Sequence, residues 1–131
     1  MIRQEFDVES YYKVIVYYDV NFDLFMDLVR ELSNVGASAS AIWEIYDMMS
    51  TGKAKAVTFS NVRKHISVVL FNPHDSKEDY INSIVHEAEH VKQAMLEAYN
   101  VKDEGEPPAY TIGYLISRMY RIFADIICER C

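Results

Sequence analysis

A strongly helical pattern runs from residue 76 to about residue 100, and its centre is the pentapeptide His86-Glu87-Ala88-Glu89-His90. On an α-helix His86 and His90 stand one turn apart and project from the same side. Ile81, Ile84, Val85, Ala88, Met95 and Tyr99 form an apolar stripe on the opposite side, to be covered by a core, while Asn82, Gln93 and Glu97 share the histidine side. Two imidazoles at this H-E-x-x-H spacing can bind one metal ion, leaving a tetrahedral site short of one protein ligand and one water. Glu87 lies about 100° round the helix from His86 and about 60° from His90. From there it can take a proton from a metal-bound water. Glu87 and Glu89 flank the histidine pair almost symmetrically, so the angles do not choose between them; the motif assigns the general base to Glu87. The plainer alternative is two histidines on a solvated polar face.

The elements around this helix follow from local patterns. Residues 11–20 (YYKVIVYYDV) are dense in β-branched and aromatic residues and predict a strand. Asn21 can cap a helix over residues 23–34 whose Leu24, Phe25, Leu28, Val29 and Leu32 share a face, and Gly36 ends it. Ser40 is a plausible cap for a second helix reaching Met49, stopped at Thr51-Gly52. Residues 53–59 and 64–71 predict two strands joined by the turn Ser60-Asn61-Val62-Arg63, and Asn72-Pro73 closes the second. An acidic loop over residues 102–106 leads to Pro107-Pro108, a helix start, and the last helix reaches about Cys128. The order β-α-α-β-β-α-α describes one α+β domain over residues 1–131, a small three-stranded sheet packed on helices.

A third metal ligand is expected from the element after the histidine helix. Glu106 stands sixteen residues beyond His90, at the head of the final helix. Ala109, Tyr110, Gly113, Ser117 and Ala124 share its side, mostly small residues that would let two helices approach closely. Ile112, Leu115, Ile116, Met119, Ile122, Phe123 and Ile126 would face the core. Asp103 and Glu104, in the preceding loop, are the fallback ligands. Glu97 lies ~10 Å along the axis from His90, too far to share a metal. His74 precedes the helix and should sit at its wrong end; His65 is expected on a strand. Tyr110 could donate to a developing oxyanion or simply pack.

Composition narrows the partners. The chain has 13 basic and 20 acidic residues, a net charge of −7, which opposes binding to phosphate backbones. It contains no apolar run near the ~20 residues that span a bilayer, and the polar, acidic segment 1–9 lacks the features of a signal peptide. Two cysteines, Cys128 and Cys131, do not make a disulfide framework, so the cytoplasm is the expected compartment. Their C-x-x-C spacing could also be half a zinc site or a redox pair. A di-iron bundle would need a second E-x-x-H element, and there is none.

The segments VHEAEHVKQ and GEPPAYTIGYL together resemble the small zincin-like metallopeptidases encoded by bacteriophages and prophages. The resemblance covers residues 86 to about 122. It implies that His86 and His90 bind zinc, that Glu87 is the general base, and that Glu106 is the third ligand as in gluzincins. Leu96 stands where a metzincin would carry its third histidine, and the Asn-Glu-x-x-x-Asp signature of thermolysin-like enzymes is absent. Zincin architecture further implies an edge strand beside the active helix, here residues 64–71, that receives an extended peptide by strand addition. The expected function is a zinc-dependent hydrolase of peptide or protein substrates. The alternative is a non-catalytic phage or prophage component that keeps zinc for structure.

Overall fold

The structure, a computed structural model, describes the backbone of residues 1–130 and the side chains of residues 1–127. Its elements are β1 (Ile2–Val8), β2 (Tyr12–Tyr18), a 3₁₀ turn (Phe22–Leu24), α1 (Phe25–Asn34), α2 (Ala39–Ser50), β3 (Ala56–Asn61), β4 (Ile66–Phe71), α3 (Lys77–Tyr99) and α4 (Glu106–Arg130). The sheet has four strands in the order β1-β2-β4-β3, not the three expected. The outer pairs β1–β2 and β3–β4 are antiparallel, and the central pair β2–β4 is parallel.

Helices cover both faces of this sheet. Tyr12, Val14, Val16 and Tyr18 of β2, with Val69 and Phe71 of β4, are buried beneath α3 and α4. Ile15 and Tyr17, with Val68 and Leu70, point the other way, onto Leu28 and Leu32 of α1 and Ile42, Ile45 and Met49 of α2. Strands buried on both faces read as near-continuous apolar runs, without alternation, and apart from Lys13 and Ser67 that is how β2 and β4 read. Buried tyrosines keep their hydroxyls bonded: Tyr12 to Ser67 at 2.8 Å and Tyr18 to Gln4 at 2.6 Å. An unbonded buried hydroxyl would cost about 1–3 kcal/mol.

The strand missed in the sequence is β1. Phe6 and Val8 are buried, whereas Arg3, Glu5 and Asp7 alternate with the core-facing positions and carry the charge that makes the segment look like a polar tail. Its hairpin to β2 turns through Glu9 and Ser10 at positive φ, 54° and 65°. Such turns ordinarily announce themselves with Asn-Gly, and this one does not. The β3–β4 turn spans residues 62–65, about two positions later than expected, so His65 sits in the turn at φ 55° and not on a strand.

Candidate functional site

Ser76 caps α3 by accepting the Asp79 N–H at 3.1 Å, and Asn100 ends it in the left-handed conformation at φ 54°. These caps leave a long helix whose middle lies alongside β3, the open edge of the sheet. His86 and His90 face each other across one turn, both exposed, with their Nε2 atoms 3.2 Å apart. At that distance the two ring nitrogens are within hydrogen-bond reach of each other.

The strand also breaks the symmetry between the two glutamates. Glu87 turns inward, is 4% exposed, and accepts the Thr58 hydroxyl at 3.0 Å. Its second oxygen lies 3.9 Å from His86 Nε2. Glu89 turns outward and pairs with Lys92 at 2.8 Å. A groove of about 500 Å³ runs between helix and strand, with Thr58, Ser60 and Val62 on one wall and His86, Glu87, His90, Gln93 and Glu97 on the other.

The remaining residues expected at this site lie elsewhere. Glu106 is exposed at the start of α4, whose first turns meet α3 near Leu96 and Tyr99. Tyr99 is nine residues beyond His90, ~14 Å along the axis. Ala109, Tyr110, Gly113 and Ser117 are exposed, Tyr110 at the margin of a hollow it shares with Leu96 and Tyr99 of α3, while Leu115, Met119, Phe123 and Ile126 are buried. Tyr110 is 74% exposed and lines a separate hollow with Val8, Glu9 and Tyr114. Asp103 is held by Lys92 at 2.9 Å, and Glu104 is exposed.

His74 is buried: its Nδ1 lies 2.6 Å from the Asn72 carbonyl, its Nε2 2.7 Å from Ser83 Oγ, and its ring stacks on Tyr80. Burial lowers its pKa, against the pull of the Asn72 carbonyl bond. His65 stacks on Tyr12 and meets Tyr99. The thiols of Cys128 and Cys131 lie outside the described side chains.

Two imidazoles therefore come together and the third ligand does not join them. Among the described residues no group of three or more His, Cys, Asp and Glu is placed to hold a metal ion. That overturns the expected zinc at His86, His90 and Glu106. With it go the metal-activated hydrolysis assigned to Glu87 and Tyr110 and the structural-zinc alternative. No family model matches the chain, and neither a curated protein nor a solved structure does. The resemblance to phage and prophage zincin-like metallopeptidases, and the zincin-like fold it implied, are thus not upheld. The architecture is a small α+β domain with a four-stranded mixed sheet. Among the described residues no helix is long and apolar enough to cross a membrane.

Sequence reasoning missed Thr58 and the groove. Residues 64–71, expected as the edge strand, correspond to the interior β4, and the edge beside α3 is β3. The available signal was the run of small and hydroxyl side chains at Ala56, Thr58 and Ser60, which leave room beside a helix.

Proposed function

We propose that this chain is a peptide-recognition module that takes an extended segment of a partner protein along the outer edge of β3. The observation that carries the reading is a contrast between the two edges of the sheet. β1 bears Arg3, Glu5 and Asp7, the charges by which an edge strand resists pairing. β3, Ala-Val-Thr-Phe-Ser-Asn, has neither a charge nor a proline. An unguarded edge presents unpaired N–H and C=O groups to any extended chain that reaches it.

The groove supplies selectivity. Glu87 sits at its base with one oxygen bonded to Thr58, and Glu97 stands further along the same wall. A bound segment that places a lysine or arginine opposite Glu87 satisfies the second oxygen, and the net charge of −7 steers basic segments toward the protein. His86 and His90 add hydrogen-bonding capacity at the rim. Cysteine usage favours a cytoplasmic setting for this binding.

Selection from a library of linear peptides, followed by NMR mapping, tests the reading. Bound peptides should perturb Thr58, Ser60, Glu87 and Gln93 and protect the outward amides of β3 from exchange. N-methylating alternate peptide nitrogens should abolish binding. Peptides that bind undiminished after N-methylation, or that perturb another surface, would refute strand addition.

A further inference from the structure

The edge of the sheet opposite β3 carries a different kind of site. Where the β1–β2 turn meets the end of α3 and the start of α4, a hollow of about 270 Å³ opens. Glu9 of the turn, Leu96 and Tyr99 of α3, and Pro107 and Tyr110 of α4 wall it. Two tyrosines and a carboxylate thus border one small cavity. Tyr99 meets His65 ring to ring, 5.0 Å between centroids. The Tyr110 side chain has no hydrogen bond and no ring contact among the described residues, and Glu9 has no ion pair among them. Burial raises the pKa of the Tyr99 phenol and the Glu9 charge raises it further, which sets that carboxylate beside this ring.

The lining decides the sign of the occupant. A helix start ordinarily favours anions through its free N–H groups. Here α4 opens Glu106-Pro107-Pro108, and neither proline brings an N–H. Glu9 and the net charge of −7 also oppose an anion and attract a cation. The lining further decides how that cation is dressed. A bare ammonium is strongly hydrated and needs several acceptors in place of its water. Glu9 is the one carboxylate among the described residues of this lining, which otherwise offers Val8, Leu96 and Val101. A methylated ammonium has exchanged N–H donors for methyl groups and rests its spread charge on aromatic rings. We infer that this hollow binds a methylated ammonium group, carried by a small organic cation or by a methylated lysine of another protein.

Met95 also lines the hollow, so NMR of its labelled methyl group reports on occupancy. The probes are choline, its neutral carbon isostere dimethylbutanol, a short peptide bearing trimethyllysine, and the same peptide with unmodified lysine. Choline or the trimethylated peptide should shift the Met95 signal with a Kd of about 1 mM or below. A response to choline alone identifies a free cation as the ligand, and a tighter response to the peptide identifies a modified protein. Glu9→Gln and Tyr110→Leu, both at exposed positions, should each weaken binding roughly fivefold. Tyr110→Phe keeps the ring and should bind like the parent. Four results overturn the inference: dimethylbutanol binding as tightly as choline, the unmodified peptide matching its trimethylated form, Tyr110→Leu without effect, or no shift with any probe.

Discussion

Thr58 of the edge strand donates its hydroxyl to the buried carboxylate of Glu87, 29 positions along the chain, and this bond joins β3 to the middle of α3. Thr58→Val keeps the shape and removes the donor, leaving a buried carboxylate oxygen unbonded. The loss expected is about 1–3 kcal/mol, read by urea unfolding. Glu87→Gln retains a carbonyl acceptor for Thr58 and should cost less than Thr58→Val while removing any preference for lysine-bearing peptides. A loss well under about 1 kcal/mol in Thr58→Val would show that the bond contributes little.

His74 should make stability depend on pH. Burial holds its folded-state pKa below the unfolded value of about 6.5. Between those two values the unfolded chain binds the extra proton. Its contribution is therefore fully present above pH ~6.5 and lost as pH falls toward the folded value, at no more than about 1.4 kcal/mol per pH unit. His74→Gln should flatten that part of the profile. An unchanged slope in the variant would assign the dependence to other groups.

Glu9 and Ser10 hold positive φ without being glycine or asparagine. The double replacement Glu9→Asn, Ser10→Gly supplies the residues that such a hairpin turn favours. It should raise stability by about 1 kcal/mol, roughly 4 °C in Tm, measured by calorimetry. A lower Tm would mean that the native turn is already relaxed.

Gly36 is the opposite case. Its φ is 95°, and a Cβ there would lie 2.7 Å from Asn61 Nδ2, which donates to the Val35 carbonyl. Gly36→Ala combines backbone strain with loss of that bond and should cost about 2 kcal/mol. A cost below about 0.5 kcal/mol would show that Asn61 moves aside freely.

What could be read from the sequence was local. Ser76 and the helical stripe after it apart from Val85 and Tyr99, which are exposed, Gly36 at the end of α1, and the apolar side of α4 are governed by capping and periodicity within a few residues, and these appear in the structure. The pairing of His86 with His90 belongs to the same class. What failed depended on neighbours distant in sequence. Glu87 and Glu89 are equivalent on an isolated helix, and only β3, lying against one side of α3, sends one inward and the other to Lys92. Glu106 was placed by assuming that small residues mark a helix contact; α4 instead buries its apolar side and turns that stripe to water. β1 escaped because only one of its faces meets the core and its turn lacks glycine.

The parallel pairing of β2 with β4 has a kinetic consequence. Each outer ladder closes between strands joined by a short turn, a contact that forms early. The central ladder, Val16 beside Val69, cannot close until everything between has been gathered in. Contacts of such long sequence separation bear the loop-closure entropy and set the folding rate. Folding should therefore pass through two preformed hairpins whose docking is the slow step, with truncations at Val16 and Val69 speeding unfolding more than they slow folding. The reverse partition, with the hairpins ordering last, would place the nucleus in the central pair. Until that docking is complete, β2 and β4 each present an unpaired edge that the native sheet closes into its central ladder.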